Sequence, residues 1–255
     1  MPNLSQINSL REKYQSNNQI SKQEIRLLKE SFNKSSIEIK NLFARASRND
    51  HLLKYFESQQ SAHVILLFID ITDFSSKCKL LTNSLLSSYL DKYYDRVIPA
   101  IYRHGGEIEK IIGDGIICLF GEPFLNDTKS KLFEKADSCA KDIVVDLKGT
   151  EMEVKIALHD GTIMYYKNKT DDYPEYTMIG KPLTELFRLE SVSENNSINY
   201  YHISDYDNMQ CSNDGIYKYS LSSTHSVWKK STLIKTDLKG VDWSFRKHFS
   251  CTFKT

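Results

Sequence analysis

The chain has 255 residues with 34 Lys and Arg against 33 Asp and Glu, a formal net charge of +1. That balance excludes a broad nucleic-acid surface while leaving room for a local phosphate pocket. No run approaches the roughly 20 apolar residues of a membrane helix, the first residues lack a signal-peptide pattern, and the five scattered cysteines form no zinc pattern. A reducing, cytoplasmic setting is the expectation.

Residues 1–58 are polar and rich in helix formers, with a Ser21–Glu24 capping box followed by Ile25, Leu28, Phe32, Ile39, Leu42 and Phe43 at roughly helical spacing. They are expected to form an N-terminal helical segment that braces a main domain spanning 59–255. The continuous apolar run Val64–Ile69 predicts a buried strand that ends at Asp70. Apolar residues from Leu85 to Ile101 recur at helical spacing, and Pro99 predicts a kink or an early stop there. Two short strands, 108–112 and 116–120, flank Gly113-Asp114-Gly115, which reads as a hairpin turn. A helix over 131–147, a strand over 154–159, a short strand over 176–179 and a helix over 183–189 follow. Further strands are expected near 198–204, 226–235 and 244–253. This order predicts an α/β (α+β) sandwich on a mixed or antiparallel sheet.

Two carboxylates carry the chemistry. Asp70 ends a buried strand and Asp114 sits at a hairpin tip, so a strand–helix–hairpin unit can bring both to one edge. Paired carboxylates that hold hard divalent cations suit phosphoryl transfer on a triphosphate. His159 reads as a hydrogen-bonded strand residue rather than a catalyst, and the paired tyrosines at 93–94, 165–166 and 200–201 as strand or core aromatics.

A series of short motifs adds a resemblance. Phe68-Ile69-Asp70-Ile71-Thr72-Asp73-Phe74-Ser75 is similar to F-x-D-I-x-G-F-T. Gly106 through Lys110-Ile111-Ile112-Gly113-Asp114 to Phe120-Gly121 is similar to G-x-x-x-K-x-x-G-D-x-x-x-x-x-F-G. Leu158-His159-Asp160-Gly161 resembles I-H-x-G, Tyr176-Thr177-Met178-Ile179-Gly180 with Arg188-Leu189 resembles Y-T-x-x-G…N-x-x-x-R-L, and Leu238-Lys239-Gly240 resembles L-K-G. In this order, over roughly 63–253, they resemble the catalytic domain of class III nucleotide cyclases.

The resemblance implies a ferredoxin-like βαββαβ core with extra strands. It also implies conversion of a nucleoside triphosphate to a 3′,5′-cyclic nucleotide and pyrophosphate, with two divalent cations, Mg2+ or Mn2+. Asp70, Asp114 and the backbone of Ile71 would hold the metals, and the backbone from Ile71 to Phe74 would cradle phosphate. Lys239 would contact the terminal phosphates, Lys110 and Thr177 the base edge, and Arg188 the charge developing at the α-phosphoryl. Thr184 stands where the family has the Asn that orients the ribose. Family enzymes share sites between head-to-tail subunits, which implies a homodimer.

A short stand-alone chain with a bulky 181–187 segment also resembles the pyrimidine cyclases of Pycsar anti-phage systems, which make cyclic UMP or cyclic CMP for a separate effector protein. The alternatives are a stand-alone adenylate cyclase, since Lys110 with Thr177 resembles an adenine-reading pair, and an inactive cyclase-fold module for binding or dimerisation. Gly105-Gly106-Glu107-Ile108 superficially resembles the diguanylate cyclase signature but lacks its second acid and Phe.

Overall fold

The computed structural model describes residues 9–11, 13, 14, 51, 52, 54–79, 81–167, 176–209, 216–221 and 224–254. The Ser21–Glu24 box and the apolar positions behind it lie outside the described residues, as does most of the helical segment expected over 1–58. The strands are β1 (Ser61–Ile71), β2 (Glu107–Ile112), β3 (Gly115–Phe120), β4 (Val154–Lys167), β5 (Tyr176–Ile179), β6 (Ser197–Tyr201), β7 (Ile216–Leu221), β8 (Thr224–Lys230), β9 (Ile234–Lys235) and β10 (Phe245–Lys254). The helices are α1 (Phe74–Cys78), α2 (Asn83–Arg103), α3 (Lys129–Leu147), α4 (Lys181–Glu190) and α5 (Asp205–Met209).

All ten strands join one sheet in the order β2-β3-β1-β4-β6-β10-β8-β7, with β5 added to β4 and β9 to β10. The first four strands, with α2 and α3 as crossovers, are antiparallel neighbours and make the expected βαββαβ core. Among the described residues, only the β4–β6 pair is parallel. The apolar run of β1 is buried on both faces because it is central. Ile65, Leu67 and Ile69 meet α2 and α3, while Val64, Leu66 and Phe68 meet the layer that contains α4.

Several boundaries differ from the sequence reading. Helix α2 runs through Pro99 to Arg103 without an early stop. A proline deletes one backbone hydrogen bond, and here the buried stripe of Tyr89, Tyr93, Val97 and Ile101 holds the helix to the sheet on both sides of that loss. Strand β4 continues well past residue 159 because its second half pairs with β5. The stretch expected as one strand over 226–235 divides into β8 and β9, which pair with different parts of β10. Helices α1 and α5 and strand β7 carry too few residues for a periodic signal.

Near the chain start, Leu10 and Tyr14 pack against the main core. Arg11 donates through Nε to the Glu107 carboxylate at 2.7 Å. Glu107 is 1% exposed, so that guanidinium compensates an otherwise isolated buried charge.

Candidate active site

The β2–β3 connection is a two-residue turn, with Ile112 opposite Gly115. Gly113 has φ +59 and Asp114 does not take a positive φ, the pattern of a II′ hairpin with glycine in its first position. The hydroxyl of Tyr94 on α2 donates to the Gly113 carbonyl and pins the tip. Because β3 lies beside β1 with Ile116 opposite Ile69, the turn delivers Asp114 to the end of β1 beside Asp70. The Ile71 backbone N–H donates to Asp114 Oδ2 at 3.2 Å. The chain then turns at Asp73, whose φ of +55 lies in the left-handed region. Glycine is the default there and aspartate is tolerated, which accounts for the Asp where the family motif has Gly. Phe74 follows as the first residue of α1, half-buried against the Tyr89 ring at 6.2 Å.

Two residues that the sequence reading did not single out complete this cluster. Strand register sets Lys155 of β4 directly opposite Asp70. Its Nζ lies 3.5 Å from Asp70 Oδ2 and 2.7 Å from Glu190 Oε1 at the end of α4. Burial, with the Asp114 charge next, raises the Asp70 carboxyl to about 6, and Asp114 is raised chiefly by burial. Burial also raises Glu190, against the pull of Lys155. For Lys155, burial works downward but the ion pairs with Glu190 and Asp70 prevail, so its pKa is raised.

These residues fit a hard divalent cation. The donors are all oxygens, and an ammonium stands against one of the carboxylates as a positive charge. The Thr72 Oγ1 and the Tyr93 hydroxyl are buried without a hydrogen-bond partner, and Tyr93 feels the charges of both aspartates. A second group, His63, Asp160 and Asp205, could also hold a metal. It lies toward the other end of β1, roughly 23 Å away at strand rise. Lys129 already neutralises it, with Nζ 3.7 Å from Asp160 and in contact with Asp205.

Helix α4 opens on a tight approach to β4. A Cβ on Gly161 would meet Pro182 Cγ at 2.4 Å, so the glycine of the Leu158–Gly161 motif is what lets the helix dock. Buried His159 contacts Glu185 at 3.0 Å, and the Tyr201 hydroxyl donates to the Glu185 carbonyl at 2.8 Å. His159 is thus a hydrogen-bonded strand residue through Nε2, while its Nδ1 is buried without a partner. Trp243 stacks on Tyr201 at 5.5 Å, and Lys181 pairs with Asp242. Both contacts fix the 236–244 loop, with exposed Lys239 at its turn, against the start of α4.

Thr184 and Arg188 are exposed on α4. Four residues apart, they share one face, whereas Glu190, two residues after Arg188, is turned about 200° away at 100° per residue. Glu190 faces the chain's own aspartates, so Arg188 and Thr184 face away from them. Lys110 on β2 is exposed and Thr177 on β5 is half-buried; their neighbours Glu109 and Met178 touch, the Glu109 carboxylate accepting from the Met178 backbone. The structure therefore assembles Asp70, Ile71 and Asp114 in one place, sets Lys110 and Thr177 on strands that meet through those neighbours, and keeps Arg188 and Thr184 off the aspartate cluster of the same chain.

No family model matches the chain. Two Mycobacterium tuberculosis proteins of uncharacterised activity, Rv1318c and Rv1319c, are 27% identical over 131 residues and 26% over 133; each match covers 51% of this chain and 24% of the relative. The chain thus spans about a quarter of the length of those relatives. Among solved structures, the adenylyl cyclase CyaB from P. aeruginosa superposes with a TM-score of 0.60 at 20% identity, covering 74% of this chain and 94% of that one. The guanylate cyclase domain of RhGC from Catenaria anguillulae, in complex with GTP, gives 0.57 at 18%, covering 74% and 97%. A non-canonical dimeric guanylyl cyclase domain of the RhoGC fusion protein from Blastocladiella emersonii gives 0.57 at 17%, covering 77% and 99%. The chain therefore has the mixed α/β fold of adenylyl and guanylyl cyclase domains.

Proposed function

We propose that this chain is a nucleotide cyclase that closes a nucleoside triphosphate into a 3′,5′-cyclic monophosphate and releases pyrophosphate. The observation that carries the reading is the Asp70–Asp114 pair, set side by side by the β1–β3 register and oriented by the Ile71 N–H, on a cyclase-type fold.

Asp70, Asp114 and the Ile71 backbone would hold two divalent cations, Mg2+ or Mn2+. When bound, these supply Lewis-acid charge for the phosphates and lower the pKa of the ribose 3′-hydroxyl. Beside that position the backbone N–H groups of Asp73 and Phe74 are offered to phosphate oxygens, while those of Ile71 and Thr72 donate to Asp114 and to the Glu153 carbonyl. Lys239 offers an exposed ammonium to the terminal phosphates. Lys110 and Thr177, whose neighbours Glu109 and Met178 touch, would present a donor and a hydroxyl to the base edge. Arg188, a planar fork donor, suits the charge that builds on the α-phosphoryl as the 3′-oxygen attacks, while Thr184 on the same face offers a hydroxyl to the ribose.

Because Arg188 and Thr184 face away from their own aspartates, a complete site takes them from a second copy. Two head-to-tail copies build two equivalent sites, which makes the working form a homodimer.

For the base, the reading is a pyrimidine. The bulk of the 181–187 segment, with Phe187 37% exposed and its ring against Phe68, favours a base smaller than a purine. UTP or CTP would then be cyclised, and cyclic UMP or cyclic CMP would serve as a messenger for a separate effector in anti-phage defence. The second reading, ATP to cyclic AMP, is favoured by the Lys110–Thr177 pair. Incubating the purified chain with all four ribonucleoside triphosphates and Mn2+, then identifying products by mass spectrometry, decides between them. Cyclic UMP or CMP as the dominant product is expected. ATP used at least as efficiently as UTP and CTP defeats the pyrimidine reading, and no cyclic product from any of the four defeats the cyclase reading.

A further inference from the structure

Lys155 is an unusual neighbour for a pair of metal-binding carboxylates. From the strand position opposite Asp70, its ammonium lies 3.5 Å from Asp70 Oδ2 and 2.7 Å from Glu190 Oε1. Among the described residues, no other Lys or Arg pairs with Asp70, Asp114 or Glu190. The lysine is half-buried, with 22% of its side chain exposed, so its partners rather than bulk water balance its charge.

We propose that Lys155 and Glu190 form a built-in counter-ion relay that sets the divalent-cation affinity of the aspartate pair. Lys155 screens Asp70 in the metal-free protein and withdraws fully onto Glu190 when a dication loads. The inference rests on the metal site of the proposed function and concerns Lys155 and Glu190, which that reading leaves without a role.

Three physical points carry it. First, a dication bound to Asp70 would be a close, like-charged neighbour of the Lys155 ammonium, so the two cations compete for one carboxylate. Second, the place to which Lys155 withdraws is already built. The Glu190 contact is the shorter of the two, and a flexible four-carbon stem lets the ammonium shift without moving strand β4. Third, the charges balance for the nucleotide-free protein with one dication loaded: Asp70, Asp114 and Glu190 carry three negative charges against one lysine, which leaves two, and the second cation of the proposed function is matched by the charge of the triphosphate. Glu190 touches both Lys155 and the Asp70 carboxyl; in the relay it acts through Lys155 as a positioning residue. Its carboxylate gives the displaced ammonium a partner, and without it Lys155 would stay on Asp70 and oppose the metal.

The relay predicts opposite effects at two touching residues, which a merely structural role does not. Mn2+ affinity of the full chain is measured by the electron paramagnetic resonance signal of free Mn2+, with no nucleotide present, so cyclisation plays no part. Asp70→Asn and Asp114→Asn mark the site, and both should remove the Mn2+ binding. If they do not, the metal assignment of the proposed function fails, independently of the relay.

With the site so marked, Lys155→Met should tighten Mn2+ about fivefold or more and Glu190→Gln should weaken it by a similar factor, the scale of a site-to-site coupling. In the Lys155→Met background, Glu190→Gln should then have no further effect. Lys155→Gln serves for the same measurement if the methionine variant does not fold. Unchanged or weaker Mn2+ binding on removal of the lysine overturns the relay. So does an undiminished Glu190→Gln effect in the lysine-free background, because Glu190 would then be a direct metal ligand.

Discussion

At Gly161 the structure leaves no room for a side chain, because a Cβ would sit 2.4 Å from Pro182 Cγ at the start of α4. Overpacking of this kind costs about 1–3 kcal/mol, and here it would push on the helix that carries Thr184 and Arg188. Gly161→Ala should lower the unfolding midpoint and, under the proposed function, reduce kcat more than KM; an unchanged midpoint would show that the contact relaxes freely. The aspartates invite a different test. Burial and the Asp114 charge raise Asp70 to about 6. A group with a raised folded pKa contributes stability below its unfolded value and loses it as pH rises through the folded one, so at pH 8 the ionised Asp70 is a cost to the fold. Asp70→Ala or Asp114→Ala should thus cut cyclisation by roughly two orders of magnitude or more while leaving metal-free stability at pH 8 unchanged or higher. Activity within a few-fold of the starting protein would sink the metal assignment.

Among the elements, the tie between β2 and β5 matters most for the base. Glu109 is 5% exposed, and burial raises its carboxyl to about 7, against the backbone hydrogen bond from Met178 and the charge of Lys110. The unfolded value is 4.5. Its contribution to stability is therefore complete below pH 4.5 and is lost as pH climbs through 7, a change of at most about 3 kcal/mol. Glu109→Gln keeps an oxygen to accept from Met178 and removes the charge. Thermal unfolding of that variant should be less sensitive to pH between 5 and 8, with a higher midpoint at pH 8. An equally steep pH dependence would mean that Glu109 is not the titrating group. If Lys110 and Thr177 read the base together, Glu109→Ala should also blunt the preference among the four nucleotides.

At the scale of the whole molecule, α4 has two outlooks. Glu190 turns toward the aspartates of its own chain through Lys155, while Arg188 and Thr184 face outward with Phe187. An active site that needs both Asp70 and Arg188 is then divided between copies. Asp70→Ala and Arg188→Ala chains, each inactive alone, should recover activity when mixed, toward about a quarter of the starting level if subunits exchange at random, because half of the dimers are mixed and each holds one intact site. No recovery despite proven exchange would place the whole site in one chain.

The sequence by itself determined most of the local elements and marked Asp70 and Asp114, the two carboxylates that the fold brings together. The apolar run ending at Asp70 is a strand because a central, doubly buried position demands one, and the glycine-led turn at 113–114 is a hairpin because only a few residues take a positive φ there. The αL turn at Asp73 and the crowding at Gly161 give physical reasons for two motif positions. Tertiary structure alone decided what those residues meet. That Lys155 stands opposite Asp70 follows from the β1–β4 register, a long-range pairing that no local pattern encodes. That Glu190 reaches the same carboxylate while Arg188 turns away follows from how α4 docks on β4. Short pieces such as α1, α5 and β9 stayed hidden because they hold their shape through neighbours rather than through a periodicity of their own. Periodicity, turn chemistry and motif spacing are properties of contiguous residues and can be read in order, whereas charge pairing across a sheet exists only once the strands are aligned.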